Sequence, residues 1–285
     1  MRKLIALACL AALGGCVIVT PGPGVSYASS GFGSDVVLGN GVTAREERHV
    51  ASVTGLEVGG VAHVDVRVGP APALVVEADS NLLPQIRTVV RGDRLVIGTE
   101  GAYRTRNPIH IIYTVPHLTD LHVGGAGRIN VTGLNGAALK VRQGGSGAVE
   151  LAGDVSRLDV DASGAGRFNG NSLHARSATL EASGSGRITV GDIQGDYANV
   201  NISGAGSVSA AGAVRALTVR VSGSGNANLD NLSSEQADLV SDGSGSIGAR
   251  VTRVLLAQAN GSGGVRVYGN PAQRNVSGRH VRMID

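Results

Sequence analysis

Residues 180–190 read Leu180-Glu181-Ala182-Ser183-Gly184-Ser185-Gly186-Arg187-Ile188-Thr189-Val190. Two glycines straddle one small residue, and apolar and polar side chains alternate on either side. That alternation is the period-2 pattern of a strand with one buried face. The arrangement recurs through the second half of the chain. Gly-x-Gly pairs stand at Gly125 and Gly127, Gly145 and Gly147, Gly164 and Gly166, Gly184 and Gly186, Gly204 and Gly206, Gly223 and Gly225, Gly243 and Gly245, and Gly261 and Gly263. Successive spacings are 20, 19, 20, 20, 19, 20 and 18 residues. Copies that stay in phase at such a period are the signature of a solenoid.

The residues around each turn fix which side chains face inward. Four positions after the first glycine stand Ile129, Val149, Phe168, Ile188, Val208, Ala227, Ile247 and Val265. Six positions after stand Val131, Leu151, Gly170, Val190, Ala210, Leu229, Ala249 and Val267, and four positions before stand Val141, Val160, Leu180, Val200, Val219 and Leu239. A further apolar position follows at Leu134, Leu173, Ile193 and Leu232. Three apolar clusters per repeat predict a three-sided coil. The fold expected is all-β: a right-handed parallel β-helix, or β-solenoid, with about 20 residues per coil. Its right-handedness follows from the general preference for right-handed parallel crossovers. The glycines are expected to allow positive φ and close stacking of successive backbones. One coil has too little core to fold alone, so the array must be cooperative.

Flanking regions differ. Residues 45–118 lack the glycine period but hold strand-like runs, among them Val64–Val68, Leu74–Val76 and Ile109–Tyr113. Arg91-Gly92-Asp93-Arg94 reads as a hairpin turn between two of them. The triplet Arg91-Gly92-Asp93 also spells an integrin-binding motif, and a polar turn is the reading taken. This region is expected to cap the stack or to supply its first coils. Residues 119–268 form the repetitive coils, and residues 269–285 a tail or cap.

The N-terminus carries an address. Met1-Arg2-Lys3, the apolar run Leu4–Leu13 and the small residues Gly14 and Gly15 make a secretory signal peptide over residues 1–15. That run is too short to span a bilayer. Leu13-Gly14-Gly15-Cys16 resembles the bacterial lipobox, which makes Cys16 the expected lipidation site and the membrane, through a lipid anchor, the expected partner. Residues 16–44, with Pro21-Gly22-Pro23-Gly24, read as a lipidated N-terminus and flexible tether. Cys9 falls inside the signal peptide, so the mature chain has one cysteine and no internal disulfide. Val17 after Cys16 points to the outer membrane of a two-membrane cell.

Composition excludes several classes. The net charge of +3 includes Arg2 and Lys3, and the only lysines are Lys3 and Lys140. No basic run tracks a phosphate backbone, so no nucleic-acid partner is expected. Aromatic residues are scarce, with Phe32, Phe168, five tyrosines and no tryptophan, which argues against aromatic platforms for sugars or bases. Gly243-Ser244-Gly245-Ser246-Ile247-Gly248 matches a dinucleotide fingerprint only as one copy of the repeat. Arg128, Ala148, Arg167, Arg187 and Ser207 occupy the offset where calcium rolls need aspartate. The histidines, including His110, His117 and His122, lack metal spacing. Asp159 and Asp161 share one strand face, next to Lys140 and Arg142 of the preceding coil and Thr179 and Glu181 of the following one, and read as an ion-pair ladder. No catalytic residue, cofactor or metal is expected.

Ser80-Asn81-Leu82-Leu83, then Arg94-Leu95-Val96-Ile97 and Thr114-Val115-Pro116-His117-Leu118, precede the series of glycine turns. In that order the chain resembles the putative auto-transporter adhesin, head GIN domain family of bacterial envelope proteins, over about residues 46–268. The resemblance implies a β-helix of pectin-lyase-like shape without catalytic residues, and an adhesive role. The function expected is therefore a non-catalytic envelope lipoprotein that binds a glycan or protein partner, with Arg128, Arg167 and Arg187 as the candidate recognition face. The alternatives are a polysaccharide-active β-helix enzyme and a ligand-free structural or sensor protein.

Overall fold

The computed structural model describes residues 36–284, whose regular elements are all strands apart from a 3-10 turn at Leu83–Gln85. The expected signal peptide, Cys16 and most of the tether lie outside the described residues. Alternation along each repeat places one side chain in two inside, and parallel pairing stacks each inward residue on its counterpart one coil away. Leu121 aligns with Val141, Val141 with Val160, Val160 with Leu180, Leu180 with Val200 and Val200 with Val219. All of them are buried, as are Ile129, Val149, Phe168, Ile188 and Val208 on the next side. The result is a β-solenoid whose coils each have three sides. Between Arg187–Ile202 and Ser207–Val221, for example, pairing runs over 187–190, 193–195 and 197–202.

The register shift between the first two of these runs is a bulge that turns the corner. Gly153 and Gly212 sit at this bulge with φ of +120 and +122. The Gly-x-Gly turns are different. None of their glycines has positive φ, which corrects half of the expectation for them. They are required by proximity: a Cβ on Gly184 would fall on the carbonyl oxygens of Gly164 and Ser163, and one on Gly164 would fall on that of Gly145. The first glycines of these turns rest directly on the backbone of the coil before. Gly170, in the inward column of Val131, Leu151 and Val190, makes room for the ring of Phe168, whose Cε1 lies 3.3 Å from where a Cβ would project.

Residues 45–118 contain both parallel coil strands and antiparallel strands. His63–Val68 and Gly55–Val58 form a full coil paired in parallel with Arg128–Asn135 and Asp120–Val123. On its other side it pairs in parallel with His110–Val115 and Arg94–Thr99. The chain therefore lays down one coil, builds another outside it, and returns across the first to begin the repeat. Antiparallel strands close that end: Ile86–Arg91 against Arg94–Thr99, and Ala73–Asp79 between His110–Val115 and Thr43–Arg48. The hairpin over Arg91–Arg94 has Gly92 at φ +60, the position at which type II′ turns place glycine.

The expected tether ends earlier than residue 44. Val37–Leu38 pairs with Tyr103–Arg104, and Thr43 already belongs to the cap. Asn81 fixes this segment, donating through Nδ2 to the Leu38 carbonyl at 2.7 Å and accepting the Asn40 N–H at 3.0 Å. Buried Asp79 accepts from Thr105 and Asn107, both at 2.6 Å, and the Thr105 hydroxyl is the main cause of its lowered pKa. At the other end, Gln273–Ser277 and Val281–Ile284 add a last coil on Ile247–Ala259 and Val265–Tyr268. Its side chains are largely exposed.

Candidate functional site: a basic corner groove

Each Gly-x-Gly turn leads into a strand whose first outward residue sits at the lip of the corner. Register stacks these residues into one column: His63, Arg128, Ala148, Arg167, Arg187, Ser207 and Asn226. Parallel strands pair at about 4.8 Å, so Arg167 and Arg187 are one rung apart, and Arg128 and Arg167 two rungs, about 9.6 Å. All three expected recognition arginines are exposed and line one groove of about 420 Å³, together with His63. Its floor is the turn backbone, covered only by Ala126, Ser146, Ala165 and Ser185. Among the described residues no carboxylate lies within ion-pair distance of Arg128, Arg167 or Arg187. Arg187 donates only to the Ser207 hydroxyl, at 3.3 Å.

The outward columns away from the corner are built differently. In the neighbouring column Asp65 lies 2.8 Å from His110 Nε2, a hydrogen bond that holds its carboxyl below the usual range, and Glu150 follows two coils on. On the side that precedes the corner, Lys140 aligns with Asp159 and Arg142 with Asp161, as the spacing predicts. Their closest partners differ from that ladder. Arg142 reaches back to Asp120 at 3.2 Å, Arg157 takes Asp159 at 3.2 Å, and Arg94 bridges Glu57 and Asp120 at 3.3 and 2.6 Å. Arg94, Arg142 and Arg157 are thus paired on that side, whereas Arg128, Arg167 and Arg187 at the corner are not. Like charges stacked on adjacent rungs repel, and an anion between them would relieve that repulsion.

Inside the corner, polar groups steady the turn. Buried Gln143 donates through Nε2 to the Gly147 carbonyl at 2.8 Å, and buried Ser241 donates to the Gly245 carbonyl at 3.2 Å. Gln143 therefore holds the groove floor from beneath at Gly147. Among the described residues there is no cluster of three or more metal-ligating side chains, and no helix is long and apolar enough to cross a membrane.

Residues 53–190 and 166–271 match the family described as putative auto-transporter adhesin, head GIN domain. The chain belongs to this family. Solved structures carry the same fold as this head GIN protein. A putative adhesin from Parabacteroides merdae is 20% identical with a TM-score of 0.67, over 88% of this chain and 100% of that one. A putative lipid binding protein from Parabacteroides distasonis is 23% identical with a TM-score of 0.65, over 87% and 99%. A putative adhesin from the same organism is 19% identical with a TM-score of 0.61, over 87% and 99%. At these identities the likeness is one of fold alone. No curated protein matches the chain.

His63 was missed at the level of sequence, although a signal for it exists. Gly125 rests on Gly60 and Gly127 on Ala62, so Gly60-Val61-Ala62-His63 occupies the same corner, with alanine as its second small residue and Gly60 at φ +80, unlike the repeat glycines. Nothing in the spacing relates it to residue 125, because the outer coil and cap intervene.

Proposed function

We propose that this head GIN protein is a non-catalytic binding protein of the cell envelope, exported and anchored through a lipid on Cys16, which engages its partner through the basic corner. The observation that carries this reading is that Arg128, Arg167 and Arg187 share one exposed groove with no carboxylate partner among the described residues. Unpaired guanidiniums are planar donors suited to carboxylate, sulfate or phosphate groups. The adhesin description of the family agrees with a surface that binds without turning over its ligand. The basic start, short apolar run and lipobox-like Leu13–Cys16 support export and anchoring, and Val17 supports the outer membrane as the destination.

The test is capture of envelope proteins and a glycan array, both with the full-length chain in detergent micelles at physiological salt. Binding is expected, and replacing Arg128, Arg167 and Arg187 together by serine should abolish it. Binding that survives the triple replacement would place recognition elsewhere on the solenoid. Labelled palmitate should enter the wild type and not Cys16→Ser, and equal labelling of both would remove the anchor.

A further inference from the structure

The groove does not stop at His63. A second hollow of about 620 Å³ shares that residue and continues along the same corner into the N-terminal coils. Arg104 and Arg106 are exposed on its wall, and neither has an ion-pair partner among the described residues. Tyr103 lies half-buried beside them, its phenol pushed up by desolvation and donating to the Val61 carbonyl at 3.0 Å. The two hollows together present five guanidiniums and a histidine, and no carboxylate lines either one. The mature chain is close to charge balance, so this sign asymmetry is local.

We propose that the two hollows form a single track for an extended acidic glycan laid along the stack. Its carboxylate or sulfate groups would meet Arg104, Arg106, Arg128, Arg167 and Arg187. The proposal rests on the corner being the binding face and adds the ligand class and the second half of the site. Geometry favours a chain over a single anion, because the column from His63 to Arg187 spans four rung intervals, about 19 Å. The two-rung gap that Ala148 leaves between Arg128 and Arg167 is close to the length of a disaccharide. Ser146 lies on the rung between Arg128 and Arg167 and Ser185 on the rung of Arg187, where sugar hydroxyls need partners, and the glycine floor lets a sugar ring approach the backbone. Single-stranded nucleic acid fits less well, since Tyr103 is the one Phe, Tyr or Trp ring that lines the two hollows and a strand needs successive platforms for its bases. An acyl chain fits less well too, because both hollows are open grooves rather than enclosed chambers.

The experiment is biolayer interferometry of the full-length chain in detergent micelles at physiological salt. The probes are polygalacturonate, heparin, neutral dextran, oligo-dT, polyphosphate and phosphatidylglycerol vesicles. Polygalacturonate or heparin should bind, the better of the two naming carboxylate or sulfate, and dextran should not. Affinity should rise with oligosaccharide length and level off once the chain exceeds the track. Serine at Arg104 and Arg106, or at Arg128, Arg167 and Arg187, should each weaken binding by at least about tenfold, a modest figure for lost charge-assisted contacts. Lysine at the same positions should restore part of it, which separates charge from folding. Tighter binding of oligo-dT, polyphosphate or vesicles would overturn the glycan. Loss in the triple variant alone would overturn the second half of the track while leaving the corner as a binding face. Failure of every acidic glycan, with envelope-protein capture intact, would overturn the ligand class and leave the adhesive reading standing.

Discussion

Tyr113 lies fully buried with no hydrogen-bond partner for its hydroxyl, and desolvation, with a smaller contribution from Asp93, pushes its pKa up to about 12. In the unfolded chain the phenol loses its proton near pH 10. The folded state therefore holds more protons than the unfolded state between about pH 10 and 12, and stability falls across that window by about 2–3 kcal/mol. Tyr113→Phe should remove that alkaline loss. At neutral pH it should be neutral or stabilising, because an unpaired buried hydroxyl costs about 1–3 kcal/mol. Urea denaturation of both proteins at pH 7 and pH 11 reads both effects. A variant clearly weaker at pH 7 would show that the hydroxyl has found a partner. None of this is legible in the sequence, where Tyr113 is one alternating residue of a strand. Its burial depends on the return of His110–Val115 onto His63–Val68, a pairing 47 positions apart from His63 to His110.

At the scale of the turn, position decides what a methyl group costs. The Gly184 Cα faces the carbonyl oxygens of the coil before it, so Gly184→Ala must push two coils apart, whereas the residue between the glycines varies between Ala and Ser from coil to coil. We expect Gly184→Ala to destabilise by at least about 1–3 kcal/mol, the scale of overpacking a filled site, and Ser185→Ala to stay within about 0.5 kcal/mol. Thermal denaturation of the pair checks this, and equal midpoints would mean that the turn backbone yields without cost. Periodic glycine made the solenoid readable from sequence, but not the reason for the glycine. Positive φ and close approach leave the same residue in the same place, and only the dihedrals separate them. The bulge at Gly153 and Gly212 needs the first and the Gly-x-Gly corner the second. The N-terminal coils were unreadable for another reason. Gly55 pairs with Asp120, 65 positions on, because the outer coil and cap are inserted between neighbouring rungs. Arg104 and Arg106 join the groove through that insertion, so the arginine column was legible and its continuation was not.

Over the whole molecule, neighbouring coils meet in register on the two sides that flank the Gly-x-Gly corner and take up differences in length in the bulge between sides, which makes the stack divisible at coil boundaries. Arg187 aligns with Ser207 and Ile202 with Val221, so Ser207 stands one rung below the place that Arg187 fills. Deleting residues 187–206 would join Gly186 to Ser207 and move every later coil up by one rung. The inward side chains would remain inward, with Val208 replacing Ile188 over Phe168. Deleting residues 187–196 instead would bring Tyr197 and Ala198 into the positions of Arg187 and Ile188, one side of the coil out of place, and break pairing with both neighbours. Repeat arrays draw stability from each unit and its interfaces. The whole-coil deletion should therefore fold cooperatively with a modestly lower midpoint, and the half-coil deletion should lose its cooperative transition. Circular dichroism melts of the two variants read the difference. Two cooperative transitions would mean that the corner tolerates a change of side, and that the coil is not the unit of the array. The whole-coil variant also bears on the groove, since it removes Arg187 and brings Ser207 beside Arg167. It should bind an anionic partner more weakly than wild type while folding normally, which separates the charge of the column from the integrity of the stack that displays it.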